Sequence, residues 1–251
     1  MTRAALFFAL ISPLLLAQSR QVVAIAHRGE HIRNPENTLP AYAEAIRLGA
    51  DYIEVDVRTS ADGVLVVSHD KDVKRCTNGQ GEVGKMTLAQ LRMLDAGGGA
   101  KLPLFDEVLQ MARGKIKVYV DLKQATSIDL VKHIEDHGMT DQVVIYSGKQ
   151  SAEIQQLNSK LKIMPESVSV DVVKQLIATL HPRVIAFGAK DWTPEIIRLA
   201  KQSKAELYVD RMGSTDNPAG WQIAIDEGAD GIQTDHPGEL VQYLIAKGYK
   251  H

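Results

Sequence analysis

The stretch VVAIAHRGEHIRNPENTLPAYAEAIRLGADYIEVDV, residues 22–57, decides the architecture. An apolar run at 22–26 is cut off by His27, Arg28 and Gly29. Residues 39–48 then place apolar side chains at helical spacing, and 52–57 alternate apolar residues with Glu54 and Asp56. β-branched and aromatic residues suit the pleated surface of a strand. A spacing of three and four gathers apolar residues on one face of a helix. Strand, helix and strand in succession make a βαβ unit, whose helical crossover forces the two strands to run parallel.

The unit repeats. Further strands are expected at 116–122, 143–146, 161–164, 184–187, 206–209 and 231–234, with helices at 128–137, 151–157, 170–180, 194–201, 218–227 and 238–246. Eight parallel strands separated by helices predict an α/β fold, a closed (β/α)8 TIM-type barrel. An open doubly wound sheet is the competing arrangement. The rhythm breaks between Ser68 and Gly114. A short strand at 64–67 follows the Asp62-Gly63 turn. Asn78-Gly79, Gly81, Gly84 and Gly97-Gly98-Gly99 come next, with helices only at 88–94 and 105–111. This is an insertion at about 70–114, expected to lie over the C-terminal ends of the strands. Long loops in compact domains are usually lids or binding loops.

Residues 20–251 suffice for one single-core domain, and barrels of this size occur undivided. With 45% hydrophobic and 24% charged residues, the composition is that of an ordinary soluble globule. A net charge of −2 and scattered lysines and arginines argue against nucleic-acid binding. Residues 1–19 differ: Arg3 precedes the apolar run 4–16, and Ala17-Gln18-Ser19 offers a small-residue cleavage site. That order predicts a signal peptide and an exported protein, periplasmic or extracellular, with no lasting membrane insertion after cleavage. Cys76 is the sole cysteine, so no internal disulfide is available. With no base beside it, Cys76 reads as a packing residue.

Chemistry concentrates at the ends of the expected strands. His27 and Arg28 follow the first, Glu54 and Asp56 lie late in the second, and Asp121 and Lys123 end the run Val118-Tyr119-Val120-Asp121-Leu122-Lys123. Barrel active sites form at the C-terminal ends of strands, so these residues should converge. Residues two apart share a face of a strand. Glu54, Asp56 and Asp121 would thus offer three inward carboxylates, suited to one divalent cation, Mg2+ or Ca2+. The alternative is that Glu54 and Asp56 pair with Arg58 or Lys123. His27 and His69 would exchange protons at the site, with Asp70 orienting His69 or ending its turn. Arg28 and Lys123 are natural phosphate contacts. Asn37 or Thr38 would cap the helix at 39–48, leaving Glu36 to reach the site. His31 would line the mouth, His133 and His137 the surface, and His181, His236 and His251 loops or the terminus. These parts point to metal-assisted attack on a phosphoester.

Five ordered motifs carry a resemblance. Ala26-His27-Arg28-Gly29, Pro35-Glu36-Asn37-Thr38, 49–57, Asp62-Gly63 through His69-Asp70, and the closing run 228–237 resemble the signature of the glycerophosphodiester phosphodiesterase family, within the phosphatidylinositol-phospholipase-C-like phosphodiesterases. Residues 102–109 resemble the end of that family's insertion, and the likeness spans about 22–244. It implies a TIM-type barrel that hydrolyses glycerophosphodiesters, small-molecule substrates, to sn-glycerol 3-phosphate and an alcohol with one divalent cation. By position it implies His27 and His69 as the acid and base, Arg28 and Lys123 on the phosphate, and Glu54 and Asp56 on the metal. The chain departs from the family in two places. Asp121 stands where a glutamate is usual before the lysine, and Leu207-Tyr208-Val209-Asp210 stands where a tryptophan-bearing motif is common. An aspartate in the third metal position also resembles the sphingomyelinase D branch, which makes phospholipase D-type action on lysolipids the alternative. That branch usually lacks the insertion and carries disulfides. A non-catalytic phosphoester-binding barrel is the remaining alternative.

Overall fold

The computed structural model describes residues 20–251, so the leader expected at 1–19 lies outside the described residues. The chain begins with β1 (Val23–Ala26), α1 (Leu39–Arg47), β2 (Tyr52–Thr59), β3 (Leu65–Val67), α2 (Leu88–Met93) and α3 (Phe105–Ala112). β4 (Lys117–Gln124), α4 (Ser127–Asp136), β5 (Val143–Tyr146), α5 (Ser151–Leu157) and β6 (Lys162–Ile163) follow. The last part holds α6 (Val170–Thr179), β7 (Val184–Phe187), α7 (Pro194–Gln202), β8 (Glu206–Asp210), α8 (Pro218–Glu227), β9 (Gly231–Thr234) and α9 (Pro237–Ala246).

The strand order is β6-β5-β4-β2-β1-β9-β8-β7, and each of the ladders along this path is parallel. The two ends nearly meet. The Ala186 N–H donates to the Pro165 carbonyl at 3.0 Å, and the Ser167 N–H donates to the Ala186 carbonyl at 2.9 Å. The result is a nearly closed barrel of eight parallel strands with helices between them, as the βαβ repeat predicts, and not an open doubly wound sheet.

Alternation along the strands divides the core in two. Ile25, Tyr52, Tyr119, Val144, Val184 and Tyr208 fill the barrel interior. Their neighbours point outward: Ile53, Val55, Val118 and Val120 pack on Leu109, Leu130 and Ile134, while Leu207, Val209 and Ile232 pack on Ile197, Trp221 and Leu240. Burying each large apolar side chain contributes about 1.5–3 kcal/mol. Gly231 is required by this layer, because a Cβ there would lie 2.6 Å from the Tyr208 ring and 2.8 Å from Val23.

The strand expected at 64–67 begins one residue later, as β3, and pairs antiparallel with the end of β2. The strand expected at 161–164 shrinks to the two residues of β6, because only Lys162 and Ile163 find ladder partners on β5. The inserted segment makes its own small core of Val66, Val73, Val83, Leu91 and Leu102. It touches the loop after β1 where Arg75 donates to both Glu36 oxygens, at 2.7 and 2.8 Å.

Candidate active site

Parallel pairing of β2 with β4 sets Asp56 directly beside Asp121 and Glu54 beside Tyr119. The inward face of these strands therefore carries Tyr52, Glu54 and Asp56 on one side and Tyr119, Asp121 and Lys123 on the other. Glu54 and Asp56 are only 2% and 1% exposed. Buried carboxylates must be compensated. The Arg28 N–H donates to Glu54 Oε2 at 2.9 Å, and Asn37 Nδ2 donates to Asp56 Oδ2 at 2.7 Å. Lys123 Nζ donates to Asp121 Oδ2 at 2.6 Å and lies 3.3 Å from Asp56 Oδ1. Arg58, the other partner considered for this pair, instead donates to the carbonyls of Ser68 and His69.

The compensation is incomplete. Burial, with Asp56 and Asp121 nearby, pushes the Glu54 carboxyl well above the usual range. Burial also raises Asp121, against the pull of Lys123. The same carboxylates hold Lys123 above its ordinary value despite its burial. Among the described residues, buried Asp56 Oδ1 has no hydrogen-bond partner and only the ion-pair contact of Lys123 Nζ. Glu54, Asp56 and Asp121 offer oxygens within 4.8 Å of one another. Such a set of mutually repelling oxygens fits a hard divalent cation, which prefers oxygen ligands. This acidic group could hold a metal ion.

The turn after β1 is built to deliver these contacts. Arg28 adopts φ 53° and Gly29 φ 82°. A left-handed arginine is uncommon, and here it aims the Arg28 N–H at Glu54. Gly29 lets α1 come close, since a Cβ would lie 2.8 Å from Ala41. Asn37 and Thr38 do not cap α1 with their side chains. Thr38 occupies the cap position without a side-chain cap bond, its hydroxyl donating to the Pro35 carbonyl at 2.6 Å. Asn37, at φ 57°, bridges Asp56 and the buried Tyr42 hydroxyl, which donates to Asn37 Oδ1 at 2.7 Å. The demand of a buried carboxylate outweighs that of a helix end.

Each of the two histidines has one nitrogen engaged by a carboxylate. His27 Nδ1 lies 2.7 Å from Asp235 Oδ1, and His69 Nδ1 lies 2.6 Å from Asp70 Oδ1. Asp70 is steadied in turn by Arg75 Nε at 2.5 Å. Glu36 is shared between Arg28 Nη1, 3.0 Å away, and Arg75. Burial would raise Glu36, yet the two guanidiniums bring it down to about 2. Burial and Glu36 push the Cys76 thiol up to about 12, in keeping with a packing residue.

His27, Arg28, His69, Asp121 and Lys123 line one cavity of about 220 Å3, together with Tyr119, Tyr146, Glu166, Asp210 and Gln233. A larger, more open hollow of about 460 Å3 lies beside Pro35, Arg75 and Asp95. Size alone does not single out the site; the gathering of charged groups does. Nothing in the local sequence around Asp235, Asp210 and Glu166 marks them for this site. Burial and the nearby carboxylates of Glu166 and Asp121 raise Asp210 to about 7. Asp235 sits in the quoted closing motif, but its bond to His27 depends on the closure of the barrel. His133 and His137 lie away from this cavity, where His133 Nδ1 meets Asp106 at 2.5 Å, and His236 precedes α9.

Residues 27–239 match the model of the glycerophosphoryl diester phosphodiesterase family. The chain belongs to this family. A glycerophosphodiester phosphodiesterase of Caldanaerobacter subterraneus subsp. tengcongensis is 31% identical over 250 residues, covering 91% of this chain and 99% of that protein. The crystal structure of a glycerophosphodiester phosphodiesterase from Agrobacterium tumefaciens matches with a TM-score of 0.79 and 31% identity, over 88% of this chain and 100% of that one. An Oleispira antarctica phosphodiesterase, solved in complex with the product sn-glycerol-3-phosphate, shares the fold with a TM-score of 0.81 at 20% identity, over 90% of this chain and 97% of that one. Family membership makes the chain a phosphodiester hydrolase, and the phospholipase D-type alternative is not favoured.

Proposed function

We propose that the chain hydrolyses glycerophosphodiesters to sn-glycerol 3-phosphate and an alcohol in the cavity at the mouth of the barrel, with His27 and His69 moving the protons. Two carboxylate-bound imidazoles, a guanidinium and an ammonium gathered around one cavity with an acidic floor support this function above all. The sn-glycerol-3-phosphate bound to the Oleispira antarctica phosphodiesterase is the product this reading expects.

Arg28 and Lys123 bind the phosphate, the first as a planar fork and the second as a point charge. Asp235 and Asp70 hold the Nδ1 atoms of the two imidazoles, leaving each Nε2 to work on the substrate. One imidazole accepts the proton of the attacking oxygen, that of water or of the substrate's own glycerol hydroxyl, as the new O–P bond forms; in the second case water then opens the cyclic phosphate to sn-glycerol 3-phosphate. The other gives a proton to the alcohol oxygen as its bond to phosphorus breaks. Glu54, Asp56 and Asp121 would hold one Mg2+ or Ca2+ ion. When bound, that ion would neutralise the charge that builds up on the phosphate.

The test is release of sn-glycerol 3-phosphate from a panel of glycerophosphodiesters with different alcohols, with and without chelator. Release is expected, abolished by chelation and restored by Mg2+ or Ca2+. Full activity in excess chelator would rule out the metal role, and no release from any member of the panel would rule out the substrate class. Export is proposed from the order of Arg3, the apolar run 4–16 and Ala17-Gln18-Ser19. Sequencing the N-terminus of the natural protein tests it: a start near residue 20 is expected, and a retained Met1 would contradict it.

A further inference from the structure

The nitrogens around Asp235 are arranged for a cation. His31 Nδ1 lies 2.8 Å from the His27 carbonyl oxygen, which can only accept, so Nδ1 carries the hydrogen. In a neutral ring the lone pair then sits on Nε2. That atom faces Asp235 Oδ1 at 3.5 Å, and the same oxygen lies 2.7 Å from His27 Nδ1. A lone pair facing a carboxylate oxygen is unfavourable unless a proton or a metal ion lies between them. His27, His31 and Asp235 offer ligand atoms within 4.8 Å of one another, and their side chains are partly open to solvent. The two rings meet edge-on at 82° and are not stacked.

The donor set has a recognisable chemistry. A backbone carbonyl that fixes the far nitrogen is the usual support of a metal-ligating histidine. Two imidazoles and one carboxylate, with a fourth position open, suit Zn2+. The oxygen-only trio of Glu54, Asp56 and Asp121 suits a harder ion instead.

We propose that His27, His31 and Asp235 form a second cation site, suited to a borderline transition metal such as Zn2+, and that filling it switches the enzyme off. A cation on His27 Nδ1 displaces the hydrogen bond to Asp235 and sends the ring proton to Nε2. The nitrogen facing the substrate is then already protonated, and a ring bound to a dication no longer cycles a proton. The switching half of the proposal rests on the phosphodiesterase reading; the binding half stands apart from it.

The experiment titrates Zn2+ into the protein in saturating Mg2+, by calorimetry and by inhibition of sn-glycerol 3-phosphate release. Wild type is compared with His31→Asn, which keeps a donor for the His27 carbonyl but lacks the second nitrogen, with His31→Ala, and with Glu54→Gln. One Zn2+ per chain is expected in wild type and in Glu54→Gln. Loss of the ligand nitrogen should weaken binding at least about tenfold in both His31 variants and raise the inhibition midpoint as much. Undiminished binding in both His31 variants, or binding lost only in Glu54→Gln, would overturn the site. Binding at the site without inhibition would overturn the switch. If no hydrolysis occurs even without Zn2+, the phosphodiesterase reading fails while the calorimetry still judges the site.

Discussion

His27 Nδ1 lies 2.7 Å from Asp235 Oδ1, although 208 positions separate the two residues. The contact spans the seam between the first and last barrel strands, where the His27 N–H donates to the Thr234 carbonyl at 3.1 Å. Asp235 is held below the usual carboxylate range, chiefly by its bond to His27, and so remains an ionised acceptor. Asp235→Asn should lower kcat by on the order of 10²-fold with little change in KM, because it frees the tautomer and orientation of the ring. Steady-state kinetics across pH would check this, and an unaltered kcat would remove Asp235 from the catalytic apparatus.

The acidic floor predicts a cation effect on stability that needs no turnover. Without a cation, Glu54 titrates well above its ordinary value because burial and two carboxylates disfavour its charge. Its native state therefore binds more protons than its unfolded state, and stability falls as pH rises above the usual glutamate range. A cation present at about 100 times its Kd should add about 2.7 kcal/mol. Glu54→Gln should flatten the high-pH loss in chelator and weaken the gain on adding Mg2+ or Ca2+. Thermal melts with and without cation would show both effects; an equal cation-induced rise in the variant would exclude Glu54 as a ligand.

Asp210 supplies a second pH signature. Its pKa in the folded chain is about 7 against an ordinary 3.8, with burial the main cause. Stability is whole below pH 3.8 and declines as pH rises toward about 7, a loss of at most about 4 kcal/mol. Asp210→Asn should match wild type at pH 4 and exceed it at pH 8 in denaturant titrations done in chelator. Parallel curves at both pH values would refute the assignment.

Arg75 ties the inserted segment to the site. It holds Asp70 behind His69 and Glu36 beside Arg28, and both acids are brought down to about 2. Depressed carboxylates contribute stability above their ordinary values and lose it as pH falls toward 2. Arg75→Met should cost about 1 kcal/mol at pH 7, as expected of a half-exposed ion pair. It should also remove part of the acid-induced loss and lower kcat several-fold by loosening His69. Urea melts at pH 7 and pH 3 with matched kinetics would check these outcomes. Unchanged kcat would separate the network from catalysis.

The barrel was legible because its strands and helices announce themselves locally. The inward carboxylates of β2 and β4 were legible for the same reason: Glu54, Asp56 and Asp121 interrupt apolar runs at a spacing of two. What could not be read depends on long-range closure. β6 is two residues long because its partners are few, a fact that Leu161 and Met164 do not carry. Asn37 looks like a helix cap until Asp56 arrives beside it. Asp235 acquires its partner only when β9 meets β1, and Asp210 and Glu166 become part of the cavity only when the later strands close it.

The most direct measurement is the rate of sn-glycerol 3-phosphate release by His27→Ala and His69→Ala, each shown to be folded by circular dichroism and supplied with saturating Mg2+ or Ca2+. Proton transfer by both imidazoles predicts that each variant loses about 10²–10⁴-fold in kcat, since each removes one of the two proton carriers. Wild-type turnover by either folded variant would contradict it.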